Sequence, residues 1–309
     1  MTTLTRSLSR WAVVALALLS CSMGWAQRQA DSLHFIEGVV VRERFVSKDV
    51  IPAQTLSGRE LQRLSAVSVA DALRYFAGVQ IKDYGGIGGL KTVNIRSMGS
   101  QHVGVFYDGL QLGNAQNGQI DLGRFSLDNM ESVSIYNGQR STILQPAKSF
   151  ASAAALYMTT RRPDVSATKR DHLKASLKVG SFSTINPSLL WERRLSPSLD
   201  LSISSEYLYT SGRYSFSYKK KNGYDTTSIR HNGDVRSLRF EAGLFGRIDE
   251  GEWRAKAYLY RSERGYPGAF VREEPGKFKH EDRQWDTDLM AQGSLRKSFG
   301  RYTLLLNGK

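Results

Sequence analysis

From residue 164 onward, segment after segment alternates apolar with polar residues, and this period of two constrains the fold more than anything else in the 309 residues. Leu173, Ala175, Leu177 and Val179 alternate with Lys174, Ser176 and Lys178, and Leu199, Leu201, Ile203, Ser205 and Tyr207 with Asp200, Ser202, Ser204 and Glu206. Leu238, Phe240, Ala242 and Leu244, and then Trp253, Ala255, Ala257 and Leu259, repeat the pattern. Successive side chains of a strand leave opposite faces, so each segment has one apolar and one polar face. Segments of roughly ten such residues, apolar outward and polar inward, are the pattern of transmembrane β-barrel strands. Tyr207, Tyr209, Trp253 and Trp285, near segment ends, suit aromatic girdles. A soluble two-sheet sandwich also alternates and stands as the competing architecture.

Seven strands are predicted: 173–180, 183–194, 199–209, 235–248, 253–264, 285–299 and 302–306. Their connections alternate in length. Residues 195–198 and 249–252 read as tight periplasmic turns, whereas 212–233 and 265–283 are long, polar and rich in Lys, Arg, Tyr and Gly, as outer loops are. Plugged barrels close at about 22 strands. The expectation is therefore a barrel incomplete in this chain, with Asn307-Gly308-Lys309 in place of a terminal aromatic.

At the other end, Arg6 and Arg10 precede the apolar run Trp11 to Ser20, and Gly24-Trp25-Ala26 supplies a small-x-small end. These features predict a signal peptide over residues 1–26 and export from the cytoplasm. The single cysteine, Cys21, falls inside this leader, either as a small apolar residue or in a loose lipobox, so no disulfide or thiolate metal site is expected in the mature chain. A net charge of +14 makes nucleic acid a natural partner to test. Export and the scattered placement of the basic residues argue against it, and no nucleic-acid signature occurs. Loops touching the anionic surface of the outer leaflet account better for the charge.

Between these regions the chain reads as mixed α and β. A mobile tail, 27–47, contains the extended run Ile36 to Arg42, whose Val39, Val40 and Val41 could add to the sheet edge of a partner or begin the sheet of the next domain. Ser57 with Glu60, and Ser68 with Asp71, have capping-box spacing at the starts of two short helices. The first carries Leu61 and Leu64 on one face, and the second Val69, Leu73 and Phe76 up to a C-capping Gly78. After the strand Val79 to Ile81, Asp83-Tyr84-Gly85-Gly86-Ile87-Gly88-Gly89 lacks the phosphate-loop and dinucleotide patterns, so it reads as a flexible loop. Thr92 to Arg96 and Val103 to Gly109 read as two alternating strands joined by a turn at Gly99. Asn114, Gln116, Asn117 and Gln119 offer neutral donors and acceptors to a polar ligand or to water.

The order of these pieces resembles the plug domain of TonB-dependent outer-membrane receptors. The resemblance is carried by Asp71 to Gly109, by Ile95-Arg96 ahead of Asp108-Gly109, and by Glu131 and Gly138 in the strand Met130 to Gly138. Ser97 replaces a family glycine, and Ser149 to Thr160 lacks the glycines of the family's closing strand, which marks a divergent branch. The resemblance implies an α+β plug over 48–163, followed by antiparallel transmembrane β-barrel strands over 164–309. It implies capture of Val39 to Val41 by a TonB-type energy-transducing protein. Ligand contact is expected at Asp83, Tyr84, Gly86, Gly88, Asn114, Gln116 and Asn117, and docking of the plug in the barrel at Arg96, held by carboxylates, and at Glu131. The spacing from Gly85 through Leu122 is most similar to cobalamin receptors, with siderophore receptors next.

The expected function is thus uptake of a scarce nutrient through the outer membrane, with lipid, ligand and a TonB-type protein as partners and no cofactor, metal site or nucleic acid. The alternative is a secreted or surface-attached, non-enzymatic binding protein with a soluble β domain. No enzyme is expected, because the five histidines stand singly and neither HExxH nor GxSxG occurs.

Overall fold

In the computed structural model the alternating segments form one antiparallel sheet with strand order β16-β15-β14-β13-β10-β9-β8. The structure describes residues 53–64, 66–114, 118–138, 140, 150–219, 223, 225–267 and 281–309. The wall strands are β8 (Asp171–Gly180), β9 (Thr184–Ser196), β10 (Leu199–Thr210), β13 (Val235–Ile248), β14 (Gly251–Gly265), β15 (Arg283–Phe299) and β16 (Tyr302–Gly308). Each pairs with its neighbour in unbroken register apart from one irregularity at Leu199/Asp200. The sheet is open, with β8 and β16 at its edges.

Burial along these strands is the reverse of that in a water-soluble protein. The buried positions include Asn186, Glu192, Glu206, Arg239, Glu241, Lys256 and Gln292, while Leu173, Leu177, Val179 and Leu289 are exposed. No second sheet packs on the apolar face among the described residues, so the sandwich alternative gives way to a barrel wall. The aromatic belts fit this. Trp253 lies ten residues along β14 from Glu263, the register partner of Trp285. At about 3.3 Å per residue and a tilt near 40°, that is about 25 Å, the height of a barrel's apolar band.

Leu289 pairs with Leu259, which faces Phe240 in the next strand, close to the middle of this band. Leu289→Arg is therefore expected to destabilise the protein in bilayers by about 2 to 4 kcal/mol. In water the same change at an exposed site would be near neutral. Folding titrations in vesicles check this, and an unchanged midpoint would remove the wall from the membrane.

The domain preceding the wall is built on a five-stranded mixed sheet, order β1-β6-β7-β4-β5. Its strands are β1 (Ala53–Ser57), β4 (Val103–Tyr107), β5 (Leu110–Gln111), β6 (Met130–Tyr136) and β7 (Ala154–Thr160). Only β4 and β7 pair in parallel. A separate hairpin pairs β2 (Val79–Tyr84) with β3 (Leu90–Ile95). The two strands expected to join through Gly99 thus belong to different sheets. Gly99 (φ 91°) leads instead into a 3-10 turn, Ser100–His102, that carries the chain from one sheet to the other.

Two short helices cover the sheet. The first, α1 (Gly58–Arg63), buries Leu61, but Ser57 makes no side-chain cap because it is the last residue of β1, paired with Ser132. In α2 (Val69–Ala72) the capping box is real: the Ser68 N–H and Oγ both donate to Asp71, at 3.2 and 2.9 Å. Burial would raise the Asp71 pKa, but Lys91 at 3.1 Å and the two hydrogen bonds from Ser68 together hold the carboxyl below its usual range. The stripe continues through the 3-10 turn Leu73–Tyr75, and Gly78 (φ 72°) reverses the chain into β2 as expected. Val69, Leu73, Val93, Ile95, Leu122, Val133, Ile135, Leu156 and Met158 form the core under the helices. The opposite face of the sheet holds Phe106 stacked on Tyr157 at 4.6 Å, with Tyr136 beside it.

Candidate functional site

Three polar clusters seat the small domain against the inner face of the wall. In the first, Asp108 follows β4 at φ 52°, and its side chain is fully buried. Its carboxylate accepts from Thr160 N–H (2.9 Å) and Oγ1 (2.8 Å) of β7 and pairs with Lys256 (2.9 Å) and Arg254 (3.2 Å) of β14. Desolvation opposes ionisation, yet the two cations keep the Asp108 carboxyl below the usual range. Next to it, the Tyr107 hydroxyl donates to Glu241 at 2.8 Å, and burial together with that carboxylate pushes the phenol well above its ordinary pKa. Lys256 also pairs with Glu241.

In the second cluster the 3-10 turn Leu122–Arg124 is gripped from three strands, with a fourth holding one of the gripping side chains. Arg239 of β13 donates to the Gly123 carbonyl and to Glu206 of β10, Tyr258 of β14 donates to the Arg124 carbonyl at 2.6 Å, and Arg124 pairs with Asp288 and Asp286 of β15. The third cluster joins Asp128 to Lys178 of β8 (3.2 Å) and Ser188 of β9 (2.7 Å). Burial would raise the Asp128 pKa, but Ser188 and Lys178 hold it down.

Docking therefore relies on residues beyond those expected. Arg96 is exposed at φ 49°, with no ion pair among the described residues. Its position just beyond β3 puts it at the end of the hairpin, where its N–H donates to the Gly78 carbonyl. Arg124, with the carboxylates of β15, plays the part expected of it. Glu131 is half-buried beside the docking boundary, where its charge helps raise the Arg162 pKa behind the stronger contact of Arg162 with Glu252. Both Arg124 and Asp121 follow the polar loop in sequence. A charged pair of opposite sign next to the apolar Leu122 and Phe125 was the available signal.

Above the second cluster, toward the long connections, lies a cavity of about 1010 Å³. Gly88, Asn114, Asp121, Arg124 and Phe125 form its floor, and Tyr258, Tyr260, Arg264, Gln284, Asp286 and Asp288 are among its wall residues. The glycine loop is not free at its tip. The Gly88 carbonyl accepts from Arg264 at 2.9 Å, and a Cβ on Gly88 would meet Val235 at 2.5 Å. At φ 74° and with no side chain, Gly88 brings the backbone onto the wall.

Of the expected ligand contacts, Gly88 and Asn114 reach the cavity; the Asn114 amide also closes its own loop on the Gln119 carbonyl at 3.0 Å. Asp83 is engaged locally, accepting from Gly86 N–H at 2.8 Å and facing Arg74 at 3.4 Å, so it shapes the loop. Tyr84 is exposed, and Gly86 sits at φ 68° with open space around it. Gln116, Asn117, Val39, Val40 and Val41 lie outside the described residues.

Residues 47–150 match the family model described as the TonB-dependent receptor plug domain. The fold is similar to that of the ferric enterobactin receptor PfeA from Pseudomonas aeruginosa in complex with enterobactin, with a TM-score of 0.57, 15% identity, and coverage of 82% of this chain and 40% of that one. It is also similar to the ferric yersiniabactin uptake receptor FyuA from Yersinia pestis (TM-score 0.56, 15% identity, 83% and 40% covered). A third similar structure is the copper transporter OprC (TM-score 0.55, 16% identity, 80% and 34% covered). The chain thus spans two fifths or less of the length of these structures. By its plug-domain match and by the inverted polarity of the strands around it, this chain has the fold of a TonB-dependent receptor fragment, a plug domain joined to antiparallel barrel strands.

Proposed function

We propose that this chain is the gate and ligand platform of a TonB-dependent outer-membrane transporter that imports a scarce nutrient of the cobalamin or ferric siderophore type. The observation that carries this reading is the cavity floored by the plug and walled by inward-facing strands. Ligand seated there touches both the part that would move, through Gly88, Asn114 and Arg124, and the part that stays, through Tyr258, Tyr260 and Asp286. Its lining mixes stacking rings with charges of both signs, which suits a polar chelate with a flat organic framework. The similar structures named above are receptors for ferric siderophores and a copper transporter, which favours a metal-bearing ligand. The outer membrane is the compartment in which this family works.

Inward release requires the plug to be pulled, and Val39 to Val41 are the residues proposed to pair with the TonB-type protein. Deleting Ile36 to Val41 from the receptor that contains this chain is expected to abolish uptake of the labelled nutrient while leaving surface binding intact. Uptake that survives the deletion would remove the TonB coupling, and loss of binding as well would place these residues in the ligand site instead.

A further inference from the structure

The outer end of the cavity holds a guanidinium that pairs with no carboxylate among the described residues. Arg264, near the end of β14, is half-buried, and its hydrogen bonds go to neutral oxygens. Its Nε (3.2 Å) and Nη2 (2.7 Å) donate to Gln284 Oε1, Nη2 also donates to the Tyr266 hydroxyl, and Nη1 donates to the Gly88 carbonyl at 2.9 Å. The neighbouring arginines differ. Arg124 is paired with Asp121, Asp286 and Asp288, Arg239 with Glu206, and Arg283 with Asp234 and Glu263.

The acids of the cavity lie deeper and are already engaged. Register sets Asp288 opposite Tyr260 and Asp286 opposite Ser262, with Gln284 opposite Arg264. Two residues of strand, about 6.6 Å, thus separate the nearest acid's rung from that of Arg264. Asp286 also accepts from the Gln284 amide at 2.8 Å. An anion entering from the outer side meets Arg264 before it meets these carboxylates.

The partner of Arg264 in the plug is pliant. The glycine loop takes positive φ at Gly85, Gly86 and Gly88, and among the described residues the bond from Arg264 to Gly88 is its one hydrogen bond to the wall. Withdrawal of the guanidinium would strand little. The Tyr266 hydroxyl also donates to Gln284 Oε1, so those two groups keep each other, and the Gly88 carbonyl belongs to a loop that is exposed from Gly85 to Ile87. A guanidinium favours an oxyanion over neutral oxygens, because charge-assisted hydrogen bonds are the stronger ones and its planar fork engages a carboxylate or phosphate through two bonds at once.

We propose that Arg264 is an anion-operated latch: a carboxylate or phosphate on the ligand draws its guanidinium off the Gly88 carbonyl and frees the plug's glycine loop from the wall. The site then selects ligands with an oxyanionic periphery, and occupancy of the cavity is tied to release of the plug at its apex. Arg124, surrounded by its three carboxylates, stays a structural cation of the floor. The proposal rests on the reading of the cavity as the ligand platform.

The test uses the full chain in detergent micelles, with Cys21→Ser and with Ile87→Cys carrying a nitroxide on the exposed loop. Citrate and inorganic phosphate are the probes, each compared with chloride at equal ionic strength, because they present the oxyanion without depending on a particular cargo. Either probe at millimolar concentration is expected to raise nitroxide mobility at least twofold, and a response to only one of them names the group that works the latch. Arg264→Gln should leave the loop mobile without any anion and unresponsive to both probes. Arg264→Lys, which keeps the charge but not the fork, should respond with a midpoint at least fivefold higher. Identical spectra in citrate, phosphate and chloride, or a response that persists in Arg264→Gln, would overturn the latch. A purely structural contact would loosen the loop in Arg264→Gln yet leave the native loop indifferent to the probes, which also overturns it. The transporter reading is judged separately, by deletion of Ile36 to Val41. Uptake lost on that deletion without any anion response overturns the latch alone, whereas an anion response with uptake that survives the deletion supports the latch and removes only the TonB coupling.

Discussion

Asp108→Asn is expected to loosen the plug from the barrel wall by about 3 kcal/mol, the low end of the cost of stranding a buried charge. The substitution keeps the shape and an oxygen to accept from Thr160 N–H, and asparagine tolerates the left-handed conformation at φ 52°, so what is lost is the charge and the second acceptor, which takes hydrogen bonds from Thr160 Oγ1 and Lys256. Arg254 then loses its carboxylate, while Lys256 retains Glu241 and Thr160, which places the cost at the low end. Urea unfolding in micelles, read by tyrosine and tryptophan fluorescence, gives the difference directly. Pairing the change with Lys256→Met should recover part of the loss, because the second substitution removes one of the stranded cations. A double variant that is merely additive would show that Asp108 and Lys256 are not coupled.

The same carboxylate makes docking depend on pH, and the sign follows from the depressed pKa. Folded Asp108 binds its proton less readily than the unfolded chain does. Its contribution is therefore complete above the unfolded value of about 4 and is lost as the pH falls through the folded one. Asp71 and Asp128 are depressed too, so wild type should weaken in acid through all three. The stability difference between wild type and Asp108→Asn isolates the Asp108 part and should shrink as the solution is acidified below about pH 4. A difference that stays constant into strong acid would mean that the carboxylate is not what stabilises the seat.

Which parts of this architecture were legible in sequence depends on the range of the interactions involved. The wall strands begin and end within two residues of the expected positions because lipid on one side and a polar lumen on the other write their environment directly into alternate residues, as in Val235–Ile248. The helix starting at Ser68 was legible because its capping box lies within four residues. The pairing of β4 was not, since its neighbour β7 lies about fifty residues away and only the register of Val105 on Leu156 reveals it. The family resemblance pointed to Arg96 for docking, whereas the fold brings Asp108 and Arg124 to the wall, because contact across the interface is decided by which loop faces the lumen. The hairpin of β11 (Tyr214–Lys219) and β12 (Asp225–Arg230) lay within a stretch that reads as an outer loop, although Tyr214-Ser215-Phe216-Ser217-Tyr218 already alternates.

Arg239→Met should have the other large effect, because one guanidinium serves both partners of the plug's central contact. Its side chain is 7% exposed, and the Glu206 it pairs with is 3% exposed. Methionine preserves much of the stem's packing but leaves Glu206 with only the Asn186 amide at 2.9 Å and frees the Gly123 carbonyl that Arg239 had engaged. A stranded buried carboxylate costs about 3 to 5 kcal/mol, and an unsatisfied carbonyl adds about 1 to 3 kcal/mol. Water admitted by the loosened turn would offset part of this, so a net loss of about 4 kcal/mol is expected. Glu206→Gln alone should cost less, since the amide still accepts from Arg239. Combining it with Arg239→Met should cost less than the sum, because the charge no longer needs a partner. The turn at Gly123 also positions Arg124 on the floor of the cavity, so Arg239→Met should weaken ligand binding without touching ligand, and Glu206→Gln should rescue stability more than affinity. Full recovery of binding in the double variant would show that Arg239 acts only through Glu206, and that the grip on the Gly123 carbonyl plays no part in holding the floor.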